Sequence, residues 1–255
     1  MLWHKAWLET RWRFVFGLGL LMCSAAAIVL THPSVIKLLP AASRLDGGGA
    51  PGGRLAEGVA LARDYRGYIW SQWLSQSLRQ LWALFAVLLG TGGLLAQASG
   101  GGALFTLSLP VSRRRLLGVR AATALAELAM LAILPLLVLP LLSPAVGETY
   151  SLADALVHGV CLLIAGSTLF SLTFLLSTVF NDVWRPPLIA LGLAILMSLV
   201  RQVAGGPSSA SLLGVMTAET YFRGGGLPWL GLLLCAATSS ALLYAATLNI
   251  APRDF

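Results

Sequence analysis

The chain has 255 residues, 57% of them apolar and only 11% charged, with a mean hydropathy of +0.82 and a net charge of +7. A soluble domain carries about 25% charged residues, and a disordered chain needs low hydrophobicity. The composition therefore argues against a water-soluble enzyme and against disorder, and leaves an integral membrane protein. The basic excess fits the cytoplasmic edges of membrane helices rather than nucleic acid, because no DNA- or RNA-binding motif accompanies it.

Residues Met1–Arg13 open with Trp3, Ala6, Trp7, Thr10 and Phe14 on one helical face. Lys5, Glu9 and Arg13 stand four apart on the other, placed for ion pairs. This pattern predicts an N-terminal interfacial helix over residues 1–13, with Trp3, Trp7 and Arg11 at the inner leaflet. The alternative is that the segment simply begins the first span.

A transmembrane helix needs about 20 mostly apolar residues. Six runs qualify: Phe14–Leu30, Leu78–Gln97, Leu116–Leu142, Ala155–Phe180, Pro187–Val203 and Leu227–Leu248. They are too long and continuous for barrel strands. The expected fold is a single all-α polytopic domain, residues 1–255, with six transmembrane helices.

Between the first two runs, residues 31–77 read as an external loop. It contains the hinge-like stretch Asp46–Gly53, then a helical stretch Arg54–Tyr68, then an aromatic belt of Tyr68, Trp70 and Trp73. Glu127 falls near the middle of the third run, and Pro135 and Pro140 kink its outer part. A mid-membrane carboxylate faces the bundle or a partner chain, either as part of a translocation path or latch or as a protonated, hydrogen-bonded core residue. His158 opens the fourth run. Residues 204–226 are too polar to span and too apolar for a free loop. They predict an external re-entrant or interfacial helix pair containing Leu212, Leu213, Val215 and Met216, followed by Glu219, Tyr221 and Arg223. Cys23, Cys161 and Cys235 each sit within an apolar run, with no disulfide or metal spacing.

Six spans put both termini on one side. That side carries nine Lys and Arg, and the other carries eight, five of them in the long first loop, where charge has little weight. In the short loops the bias places both termini in the cytoplasm.

The segment at residues 98–115, between the second and third runs, is long for a cytoplasmic turn. It opens on Gly100, Gly101 and Gly102, continues through the apolar Leu104–Leu109, stops at Pro110 and ends on Ser112 and Arg113–Arg115. A flexible turn with a headgroup anchor is one reading, and a docking element for a cytoplasmic partner is the other. Its sequence, GGGALFTLSLPVSRRRLLGVR, resembles the coupling-helix region of type-2 ABC transporter permeases, the membrane subunits of exporters. Gly101 takes that family's Gly position, Leu104, Phe105, Leu107 and Leu109 its apolar run, and Pro110, Ser112 and Arg113 its Pro-x-Ser-Arg. Gln97 stands where an acid is usual there, and Gly102 where Thr is usual. The opening WHKAWLETRWRF and the six-span layout are also similar to the family, so the resemblance covers essentially the whole chain.

The resemblance implies a permease in the bacterial plasma membrane that pairs with a second permease chain, as homo- or heterodimer, and docks a cytoplasmic ABC ATPase through these residues. ATP and Mg are expected on that partner, since the chain contains no G-x-x-x-x-G-K-[ST]. It also implies that the helices before the last span lie at the outer end of the pathway, which makes Glu219 and Tyr221 candidates for a gate. Three other classes compete. A membrane-embedded enzyme needs Ser/His or carboxylate/His pairs within the spans, and only His158 is near one. Haem electron transfer needs axial His pairs. An ion- or proton-coupled secondary transporter needs broken helices in two similar halves, and Glu127 is its best support. The spans do not define a substrate.

Overall fold

Leu2 to Leu45 forms one unbroken helix, α1. The expected separate helix over residues 1–13 is thus the start of the first long helix. The face of Ala6, Thr10 and Phe14 is buried in the bundle rather than turned to a leaflet. Glu9 pairs with Arg120, and Arg13 bonds the end of another helix. The helix also continues through the expected loop start at Thr31. Pro33 removes one helical N–H, a loss that membrane helices tolerate when hydroxyls and neighbours compensate. Here Pro33 cannot donate to Val29 O, and the helix is held across the gap by the buried His32 ring, which packs on Tyr65 and Tyr68.

The computed structural model describes residues 2–45, 61–91, 113–180, 182–204 and 211–250. After α1 come α2 (Tyr65–Ile69), a π-helix (Trp70–Leu78) and α3 (Arg79–Gly90), which follow one another without a break. Helix α4 is Arg113–Leu142, closed by a 3-10 turn (Ser143–Val146), and α5 is Leu152–Val179. Then come α6 (Arg185–Ala204), α7 (Leu212–Met216), α8 (Glu219–Phe222) and α9 (Trp229–Ile250). Every element among the described residues is helical.

Among the described residues, four helices are long and apolar enough to cross a membrane: Leu2–Leu38, Arg114–Val146, Leu152–Val179 and Trp229–Asn249. Four of the six expected spans fall on these helices. The fifth falls on α6, whose apolar stretch Arg185–Val200 is shorter. The second, expected over residues 78–97, falls on α3, which has 12 residues and stops at Gly90 because Thr91 is extended. Its N-terminal extension through the π-helix and α2 takes up residues 65–77 of the expected loop.

Helix α5 is the hub, packing on α3, α4, α6, α7 and α9. It is built for close approach. Gly166 lies flat under Trp82, where an added Cβ would stand 2.0 Å from the indole. Trp82 in turn donates its indole N–H to Leu128 O of α4 at 3.3 Å. Against α9 the joint is polar: Ser171 and Ser239 hydroxyls lie 2.6 Å apart, and Asn249 donates to Thr178 O at 3.0 Å. Small residues and hydroxyls join helices in lipid, where apolar burial gives no preference for protein over acyl chain.

Candidate functional site

Polar groups gather at two levels of the bundle. Thr10 and Thr31 of α1 are 21 positions apart, so the levels are separated by roughly 31 Å at about 1.5 Å per residue. That is close to the thickness of a hydrocarbon core, about 30 Å.

The first level joins the N-terminal part of α1 to α3 and α4. Arg13 donates to Leu88 O at 2.9 Å and to Thr91 Oγ1 at 3.0 Å, closing the last turn of α3. Glu9 pairs with Arg120 at 3.5 Å. Next to Glu9 on α1, Thr10 Oγ1 donates to Glu127 Oε1 at 2.5 Å, about two turns along α4 from Arg120. Glu127 is 1% exposed and its Oε2 has no partner. The expected path residue is therefore held by a hydroxyl on α1 and faces the bundle.

The second level surrounds Asp154, near the start of α5. Ser151 caps this helix, and Tyr221 of α8 donates to Asp154 Oδ1 at 2.7 Å. Arg66 of α2 brings its Nε to 2.9 Å from Asp154 Oδ2. That N–H is not aligned on the oxygen, so the pair is a close approach of charges without a formed hydrogen bond. The guanidinium carbon also lies 5.9 Å from the Tyr221 ring and 5.5 Å from the Phe222 ring. Phe222 stacks on Trp70 at 4.3 Å, and Trp70 donates its indole N–H to Thr217 O at 3.1 Å. The chain turns sharply before this wall at Ala218, a buried residue in the left-handed region at φ 48°. Strain of about 1 kcal/mol is usual for such a residue. The Asp154 carboxylate holds the Tyr221 phenol above its ordinary pKa, since deprotonation would break the bond and set two anions together. Burial pushes the neighbouring Tyr150 phenol up as well.

His158 lies one turn further along α5, with its ring edge-on to Tyr221 at 5.8 Å. Its Nδ1 is 2.7 Å from Asp154 O. A carbonyl only accepts, so Nδ1 carries the proton and Nε2 keeps a lone pair. That Nε2 is buried and has no partner, and neither does the Tyr150 hydroxyl.

The residues expected from sequence divide as follows. Tyr221 is central to the second level. Glu219 stands at the start of α8 and pairs with Arg223 at 3.2 Å. Trp3 is exposed, Trp7 is half-buried with its ring 5.3 Å from Phe14, and Arg11 is exposed beside Trp12. The docking residues Gly101, Leu104, Phe105, Leu107, Leu109, Pro110 and Ser112 lie outside the described residues. Arg113 begins α4. Sequence reasoning missed Arg66 and Asp154. Ser151-x-x-Asp154 is legible as a capping pattern, but no local signal joins Asp154 to Arg66.

What the described residues define is an all-helical chain whose long apolar helices fit a membrane-embedded protein. Comparison with family models, with curated proteins and with solved structures finds no match.

Proposed function

We propose that the chain is the permease subunit of an ATP-driven exporter, with six spans, cytoplasmic termini and a separate ATPase docked on residues 98–115. A second permease chain completes the translocation path, and ATP and Mg are held by the ATPase. The observation that carries this reading is where the docking sequence sits. It joins Gly90 of α3 to Arg113 of α4, and both of those helices are tied to α1, by Arg13 at one and by Glu9–Arg120 and Thr10–Glu127 at the other. A push on the segment is thereby delivered to three helices at once rather than absorbed by a loose turn. The test is co-purification of this chain with an ABC ATPase expressed from a neighbouring coding sequence. Replacing Leu104, Phe105, Leu107 and Leu109 with Ser is expected to abolish the complex while leaving membrane insertion intact. A complex that survives the change refutes docking there.

A proton-coupled carrier is the second reading, favoured by the buried Glu127 carboxylate with its free Oε2. Transport in sealed vesicles separates the two. The exporter requires ATP and the partner, whereas the carrier runs on a pH gradient alone and stops in Glu127→Gln.

A further inference from the structure

We infer that the cage around Asp154 is a binding site for a guanidinium-type cation, such as an arginine side chain of a peptide, and that Arg66 occupies it as a tethered stand-in. The inference does not rest on the transport reading, and its test uses no ATPase.

The cage supplies what a planar, delocalised cation requires. Asp154 provides the charge, and Tyr221 and Phe222 provide ring faces at cation–π range, 5.9 and 5.5 Å from the bound guanidinium carbon. The walls are held in place from behind. Phe222 lies parallel to Trp70, within 3°, and the Trp70 indole is anchored on Thr217 O.

Arg66 fills this cage poorly. Its Nε approaches Asp154 without an aligned hydrogen bond, although guanidinium and carboxylate can meet in a two-bond fork. Its side chain is 41% exposed, so water and solutes reach it.

The second, independent sign is a shortage of donors nearby. His158 is 3% exposed and presents a lone pair at Nε2 that nothing satisfies. The Tyr150 hydroxyl, near Asp154 and Arg66, is also buried and unpartnered. Buried polar atoms without partners are uncommon and call for an explanation. A guanidinium carries five N–H donors and an ammonium only three, without the flat face that stacks on a ring. A free guanidinium, unconstrained by α2, can fork onto Asp154 with two aligned N–H donors. Arg66 is bound to α2 and does not.

The experiment uses the full chain in lipid nanodiscs, with arginine amide as probe and lysine amide as control. Removing the tethered competitor in R66A is expected to tighten arginine amide binding by roughly tenfold or more, because the probe no longer competes with an attached copy. The readout is saturable protection against thermal unfolding. Lysine amide is expected to protect much less, and R66A combined with D154N to show no protection. The second arm needs no change at Arg66. Saturation-transfer NMR from the aromatic rings to arginine amide is expected in the unmutated chain and lost in D154N. R66A without saturable protection, protection that survives D154N, or equal protection by lysine amide overturns the site. If R66A does not fold, absent or D154N-insensitive transfer in the unmutated chain overturns it instead.

Discussion

At Tyr221 and Glu127 a polar side chain finds one hydrogen-bond partner on another helix. Tyr221 gives its proton to a carboxylate. Tyr221→Phe removes one charge-assisted bond at a partly solvated position and is expected to cost about 1 kcal/mol at neutral pH. The pH dependence follows from a phenol held above its ordinary value by Asp154. Its contribution is complete below the unfolded-state value of about 10 and is lost as pH rises through the higher folded-state value. Unfolding curves of the two proteins are expected to differ at pH 7 and to converge in strong alkali, and a constant gap would remove the assignment. For Glu127 the partner is the Thr10 hydroxyl. Glu127→Gln keeps an acceptor of the same shape and is expected to change stability by less than about 1 kcal/mol. Glu127→Ala leaves a void at the α1–α4 joint and is expected to cost about 2 kcal/mol. Thermal unfolding in detergent orders the three proteins. The burial of Glu127 was legible from its place in an apolar run. Its partner was not, because Thr10 lies 117 residues away and its spacing reads equally well as a face turned to lipid.

Between α3 and α5 the contact is set by missing side chains, Gly166 against Trp82 and Gly90 against Phe170 O and Thr173. Gly166→Ala places a methyl where the Trp82 ring lies and forces the indole off Leu128 O, a change expected to cost about 1–3 kcal/mol. A Trp82→Leu change in the same chain is expected to recover part of that loss, and its failure to do so would mean the two residues do not share a contact. The elements themselves were largely legible. The runs at Leu116–Leu142, Ala155–Phe180 and Leu227–Leu248 match α4, α5 and α9 to within three residues at each end. The sequence misled where side-chain neighbours overrule local propensity. Thr31-His32-Pro33 reads as a stop, yet Tyr65 and Tyr68 pack on His32 and α1 runs on. Residues 70–78, expected within the external loop with a helix that could run on into the second span, do run on as a π-helix into α3, and Trp73 donates its indole N–H to Ser24 of α1.

For the molecule as a whole, the two polar levels define an orientation that the apolar helices alone leave open. A membrane-impermeant thiol reagent is expected to reach a cysteine placed at Arg115 from one side only and one placed at Gly147 from the other. Cys23, about midway between the levels on α1, is expected to stay unlabelled in intact membranes although its side chain faces outward. Labelling of both new sites from one side would break the assignment of the levels to opposite surfaces. The outward faces of α6 and α9 carry Leu188, Ile195, Leu196, Leu230 and Leu233, all more than half exposed. These faces were legible as apolar from the hydropathy of their runs alone.

The π-helix at Trp70–Leu78 has one more consequence. A stretch wound at i→i+5 holds an extra residue compared with α winding, and such bulges are frequent at functional sites. Rewinding it as α would act like a screw. Trp82 and the helix below would keep their seats while Trp70 and Arg66 swung around the axis, away from Asp154. Deleting Ser75 makes that rotation permanent. A single lost residue, far from the carboxylate in sequence, would then empty the cage while leaving every one of its walls unmutated.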